Sequence, residues 1–111
     1  MRDDRAYLTY LQESILLVQQ YASDGQKAFA TDLRTQDAVL RRMETLADAA
    51  SHLSGELKER HPEIVWRQLS DFRNVLAHGY FEIRMDQIWQ TVMTDLPTLK
   101  AVVDDELARE S

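Results

Sequence analysis

Apolar residues recur along the first half of the chain at the spacing of α-helices. Between Asp4 and Gly25 they follow the i, i+3, i+4 rhythm, with Asp3 or Asp4 able to cap the start and Gly25 able to end the helix. After a connector over residues 25–34, successive apolar residues are four and three positions apart in alternation. This spacing is typical of a helix that packs on its neighbours at a shallow angle. The apolar positions of this second helix are Val39, Met43, Leu46, Ala50, Leu53 and Leu57.

Two prolines and a glycine divide the second half of the chain. Because the residue before proline disfavours the α conformation and proline suits the first helical position, the sequence predicts a third helix from Pro62 to His78, ended by Gly79. Asp86 can cap a fourth helix, and Pro97 must then kink this helix or start a separate segment. The chain shows no strand pattern of useful length.

Four amphipathic helices joined by short connectors favour an all-α, up-and-down four-helix bundle with a kinked or split C-terminal helix. With 111 residues, 44% of them hydrophobic, and only 3 Gly and 2 Pro, the chain has the size and composition of one folded domain over residues 1–111. A two-domain enzyme and a disordered chain are thereby excluded.

Charge and cysteine content limit the expected partners. The net charge is −6, but the five basic and four acidic residues between Lys58 and Arg84 give that window +1 and leave −7 for the rest. Any nucleic-acid site is therefore local. The absence of cysteine excludes disulfides, a thiol nucleophile and cysteine-ligated metals. Neither a signal peptide nor a membrane span is expected, so we expect a cytoplasmic protein without a membrane partner.

The third helix has two contrasting faces. At about 100° per residue, one narrow arc is apolar and is predicted to be buried. A broad opposite arc is mostly polar, although it includes a large aromatic ring, Trp66, which would be costly to leave in water and indicates that this arc meets a partner surface. The apolar arc holds Val65, Leu69, Phe72 and Leu76, and the broad arc holds Trp66, Arg67, Ser70, Arg73, Asn74 and His78.

Three residues of the broad arc suit RNA cleavage. The RNA backbone carries its own nucleophile, the 2′-hydroxyl, so cleavage needs proton transfer and a cation for the developing charge, and no metal is required. Arg73 can bind phosphate oxygens, Asn74 can orient the phosphate or the imidazole, and His78 can transfer protons near neutral pH. One His in each chain suffices if two chains face each other, so we expect a homodimer. The competing interpretation makes His78 an ordinary helix cap.

Other polar residues favour structural interpretations. Arg67 is expected to pair with Asp71, four residues on. His52 and His61 have no partners at metal-ligand spacing, and the acidic run at 104–106 is typical of a solvated face, so neither a metal site nor a cofactor is expected. No Gly-rich phosphate loop is present, so the chain is not itself a nucleotidyltransferase.

Residues 73–80 (RNVLAHGY) resemble the Arg-polar-x3-His motif of HEPN domains, in the extended Arg-x4-His-x-Tyr form of HepT-like toxins. The resemblance covers roughly residues 36–107. It also includes EIVW at 63–66, Phe81, Trp89 and DLPTL at 95–99.

This resemblance implies a homodimeric, metal-independent endoribonuclease with Arg73 and His78 as catalytic residues, assisted by Asn74. It implies RNA as the substrate, with tRNA as the first candidate and no DNA target. It also implies a toxin–antitoxin pair with a minimal nucleotidyltransferase that silences the toxin by transferring AMP to Tyr80. The alternative is a HEPN-type helical binding module that presents nucleotide or substrate to a nucleotidyltransferase without cleaving RNA, and the acidic net charge favours it. Taken alone, Tyr80 could equally cover the end of the bundle.

Overall fold

The structure is a computed structural model that describes residues 4–110, apart from the side chains of Tyr80 and Glu110. Over this range the chain is helical and contains no strand, which confirms the predicted all-α class. None of the described helices has the length and apolar character needed to cross a membrane. The helices are α1 (Asp4–Tyr21), α2 (Gln26–Thr31), α3 (Leu33–Ser51), α4 (Gly55–Arg60), α5 (Trp66–His78), a 3₁₀ turn (Tyr80–Glu82), α6 (Met85–Gln90), a π-helical turn (Thr91–Asp95) and α7 (Leu96–Glu110).

Helix α3 lies at the centre of the packing. It packs against α1 on one side and α5 on the other, and α1 also packs against α7. Burial of each large apolar side chain in this core stabilises the fold by roughly 1.5–3 kcal/mol, so the stripe predicted for α3 is the main packing surface. Its fully buried members include Val39, Met43, Leu46 and Ala50, which share one hydrophobic core with Leu8, Leu11, Ile15 and Val18 of α1 and Leu96, Leu99 and Val103 of α7.

The predicted second helix is divided, and the expected connector before it is partly helical. The chain leaves α3 after Ser51 and restarts as α4, because the Ser54 hydroxyl accepts the Leu57 N–H at 3.3 Å and caps the new helix. The Asp4 carboxylate accepts the Ser54 N–H at 2.8 Å and the Ser54 hydroxyl at 2.6 Å. Asp4 therefore fastens α1 to the start of α4, while Asp3, the other predicted cap, lies outside the described residues.

Helix α5 begins at Trp66 rather than at Pro62, and it ends at His78 as predicted. The four residues before it form a turn, in which the Ile64 N–H bonds to the His61 carbonyl at 3.2 Å. The Trp66 indole N–H donates to the carbonyls of Lys58 and His61 at 3.1 and 3.2 Å, and it holds the turn against the end of α4.

The C-terminal helix is not split at Pro97: the helical path runs from Met85 to Glu110, with a π-helical turn within it. It begins at Met85, so Asp86 lies in its first turn and does not cap it. Before α7 the backbone widens into a π-helical turn, in which the Leu96 N–H bonds to the Thr91 carbonyl. Because Pro97 has no N–H to donate, this turn lets the helical path continue past it.

Candidate active site

Helix α5 carries all three predicted catalytic residues. Leu76 is buried and anchors the last two turns in the core. The Gly79 N–H bonds to the Val75 carbonyl at 2.8 Å and closes the helix directly after His78. Tyr80 begins the 3₁₀ turn that follows, and its side chain lies outside the described residues.

The apolar arc of α5 is only partly covered, contrary to the prediction. Leu69 and Phe72 are half-buried, and Val65 is 56% exposed. The physical reason is that α5 packs mainly on α3, which leaves a groove of about 340 Å³ between α5 and the start of α7. The groove therefore presents an apolar surface beside α5.

The surroundings of Trp66 do not indicate the partner surface that the helical wheel led us to expect, because the ring is partly buried within its own chain. The ring packs against the core of its own chain, and its N–H is bonded to backbone carbonyls. Trp66 lies on the polar arc of the wheel, and its polar neighbours are the backbone carbonyls at the end of α4 and in the turn that follows.

Arg73 is held between two neighbours. Its Nε lies 3.5 Å from Oδ1 of Asp48 on α3, and its Nη1 donates to Oδ1 of Asn74 at 3.1 Å. The other oxygen of Asp48 lies 3.8 Å from Nε2 of His52. Sequence reasoning missed Asp48, because one acidic residue on an amphipathic helix gives no signal of which basic residue it will meet 25 positions later.

His78 is exposed at the end of α5, and its imidazole is separated from Arg73 by the geometry of the helix. Five residues along an α-helix amount to about 140° of rotation and roughly 7.5 Å of rise. Asn74, four residues before His78, is exposed on nearly the same face. The predicted pair between Arg67 and Asp71 is not formed among the described residues, and both side chains are exposed near His78 and Asn74 on the wheel.

A second polar cluster lies at the junction of α4, the following turn and α7. Glu106, only 1% exposed, accepts hydrogen bonds from Arg60 at 2.7 and 3.1 Å, and its Oε2 lies 2.5 Å from Nε2 of His61. Nδ1 of His61 lies 3.3 Å from Glu63. Sequence reasoning placed Glu106 on a solvated face, and the structure corrects this, because three residues of the acidic run face different ways around α7.

The charged groups of this cluster shift each other's pKa values. Burial of the imidazole opposes its protonation, but the hydrogen bonds to Glu106 and Glu63 outweigh burial and raise the pKa of His61 above its ordinary 6.5. The hydrogen bonds from Arg60, aided by His61, lower the pKa of Glu106 below its ordinary 4.5 in spite of burial. Ligand atoms of His61, Asp105 and Glu106 lie within 4.8 Å of one another. Because Glu106 already engages Arg60 and His61, we interpret the cluster as an ion-pair network.

The residues on α5 can perform phosphate chemistry. The guanidinium of Arg73 can bind phosphate oxygens through N–H groups that its neighbours leave available. The exposed imidazole of His78 can give or take a proton, and the Asn74 side chain can donate from its amide nitrogen while its oxygen holds Arg73.

Comparisons with known proteins show the family of the chain. The family model described as ribonuclease HepT-like matches residues 11–105. A protein from Thermococcus cleftensis named as a probable ribonuclease HepT is 34% identical over 100 residues, which cover 89% of this chain and 91% of that protein. A protein from Caldanaerobacter subterraneus subsp. tengcongensis, named as an RNase, is 29% identical over 99% of both chains.

A longer protein from Methanocaldococcus jannaschii, named as a gamma-glutamylcyclotransferase and RNase, is 34% identical over 100 residues, which cover 89% of this chain and 45% of that protein. No solved structure matches the chain. The family match spans most of the sequence and includes the whole of α5 and the residues that flank it. The chain therefore belongs to the HepT-like ribonuclease family.

Proposed function

We propose that the protein is a metal-independent endoribonuclease and the toxin of a toxin–antitoxin pair, with tRNA as its first candidate substrate. The observation that carries the proposal is the placement of Arg73, Asn74 and His78 on one accessible helix in a chain of this family. The window of residues 58–84 around this helix has a net charge of +1, against −7 for the rest of the chain.

In the proposed reaction the 2′-hydroxyl of the RNA attacks the adjacent phosphorus while its proton passes to a base. The bond from phosphorus to the 5′-oxygen breaks, and that oxygen receives a proton, which leaves a 2′,3′-cyclic phosphate and a 5′-hydroxyl. His78 supplies one of the two proton-transfer groups, and His78 of a second copy supplies the other. Arg73 stabilises the charge on the phosphorane oxygens, and Asn74 orients the phosphate.

Cleavage of a total tRNA pool in the presence of a chelator tests this function. The protein is expressed without any antitoxin, and its intact mass is checked before the assay. We expect cleavage products that end in a cyclic phosphate. Activity that disappears with chelator and returns with a divalent cation would overturn metal independence, and an uncleaved pool would favour the binding module.

We also propose that the chain is a homodimer. The partly covered groove beside α5, with the exposed side chain of Val65 in its lining, forms an apolar surface that a second copy could bury. Light scattering of the purified chain should give twice the mass of 12.9 kDa. A monomer mass at the concentration used for the cleavage assay would overturn both the dimer and the two-histidine mechanism.

The proposed antitoxin is a minimal nucleotidyltransferase that transfers AMP to Tyr80. Tyr80 follows the catalytic helix by two residues, so the added phosphate and adenosine would repel RNA from the site and occupy it. After co-expression with such a transferase, intact-mass measurement should show additions of AMP that are lost in Tyr80→Phe. The matched control is Tyr21→Phe, which removes an exposed phenol at the end of α1. Additions that persist in Tyr80→Phe would place the modification elsewhere.

The second candidate function is a binding module that presents nucleotide or substrate to a nucleotidyltransferase and does not cleave RNA. The net charge of −6 favours it, because the chain as a whole repels polyanions. A transferase gene nearby fits both functions. Growth arrest on expression of the chain alone, dependent on His78, fits only the ribonuclease.

A further inference from the structure

We infer that Asp48 is a positioning residue for Arg73, an inference that rests on the proposed ribonuclease function. Asp48 lies on α3 and Arg73 on α5, and their ion pair, with 3.5 Å between Oδ1 and Nε, connects the catalytic helix to the central helix of the fold. The carboxylate of Asp48 lies against the Nε edge of the guanidinium.

The guanidinium of Arg73 has protein neighbours at two of its three nitrogens. Nε is held by Asp48, and Nη1 is held by the side-chain oxygen of Asn74 at 3.1 Å. Within the described part of the chain Nη2 has no hydrogen-bond partner, so its N–H groups are available to a phosphate. Because the guanidinium is planar and rigid, contacts at two nitrogens restrict where the third one points. A long side chain that is oriented before RNA binds loses less conformational freedom during the reaction.

Asp48 has a second neighbour on its other side. Its Oδ2 lies 3.8 Å from Nε2 of His52, and the ring of His52 stacks on Tyr7 of α1, with 5.1 Å between the ring centroids and 14° between the planes. Side chains of three helices thus form a continuous series that ends at Arg73.

The ion pair is better suited to orienting Arg73 than to stabilising the fold. The side chains of Arg73 and Asp48 are 39% and 49% exposed, and exposed ion pairs contribute little to stability. A carboxylate beside a phosphate site also repels RNA. If Asp48 had no positioning role, its neutralisation would leave cleavage unchanged or make it faster.

The test compares Asp48→Asn with Glu44→Gln in steady-state cleavage of RNA. Glu44 lies one turn away on α3 and pairs with Arg41 at 3.9 Å, so its variant removes the same charge without touching Arg73. We expect Asp48→Asn to lower kcat about tenfold with KM within about twofold of the wild type, because misorientation of Arg73 affects the transition state more than binding. Glu44→Gln should retain the wild-type kcat, and Asp48→Glu should recover most of it. The thermal midpoint of Asp48→Asn should stay within about 4 °C of the wild type.

Cleavage by Asp48→Asn at the wild-type rate or faster would overturn the inference. If the wild type cleaves no RNA, the proposed function fails. The positioning role is then tested without cleavage, by the Nε–H resonance of Arg73 in an NMR spectrum. Asp48→Asn should shift that resonance or broaden it away, and Glu44→Gln should leave it in place. A resonance unchanged by Asp48→Asn would overturn the positioning role.

Discussion

His78→Ala should reduce RNA cleavage about a thousandfold, within the range of roughly 10²–10⁴ that a general acid or base contributes. The variant removes the imidazole at the exposed end of α5 and leaves Arg73 with both of its neighbours. Cleavage of a tRNA pool, with products followed over time and chelator present, measures the effect. Expression of the variant alone should also no longer arrest growth.

The control for His78→Ala is Lys27→Ala, which removes an exposed cation from α2, a helix that packs on α3 and α6. It should retain full activity, and both variants should unfold within a few degrees of the wild type because both side chains are exposed. Equal cleavage by His78→Ala and the wild type, purified identically, would show that the imidazole has no part in the reaction.

Glu106→Ala should lower the free energy of unfolding by about 3 kcal/mol, which is at the lower end of the range for removing one partner of a buried ion pair. The lower end applies because Arg60 is 37% exposed and can be rehydrated, whereas His61 stays largely buried without its carboxylate. Urea unfolding followed by circular dichroism measures the change.

The matched control is Asp105→Ala, since Asp105 is the exposed neighbour of Glu106 on α7. Its substitution should change the free energy of unfolding by no more than about 0.5 kcal/mol. If the two variants proved equally stable, Glu106 would not be the centre of a stabilising network.

The ion-pair network of Glu106, His61 and Arg60 stabilises the fold most within a limited pH range. His61, with a raised pKa, stabilises the fold fully below 6.5, and this stabilisation is lost as the pH rises through the pKa of the folded state. Glu106, with a lowered pKa, stabilises the fold above 4.5, and this stabilisation is lost as the pH falls through its folded pKa. The contribution is therefore greatest between about pH 4.5 and 6.5, and Glu106→Ala should remove most of this pH dependence.

The sequence alone determined the helical class, the buried stripe of α3 and the end of α5 at His78. Each of these depends on local spacing, because helical hydrogen bonds join residues four apart and an amphipathic face repeats every 3.6 residues. The restart of the chain at α4 was not predictable in this way, because Ser54 is held by Asp4, which lies 50 residues earlier.

The tertiary structure decided which charges meet. Asp48 and Arg73 come together only because α3 packs on α5, and Glu106 becomes buried only because α7 brings it against Arg60, 46 residues earlier. Trp66 and Val65 show the same limit, since the ring expected to face a partner packs inward and the neighbouring side chain expected to be buried is exposed. A helical wheel orders side chains around one axis, but the neighbouring helices determine which sector of that wheel they cover.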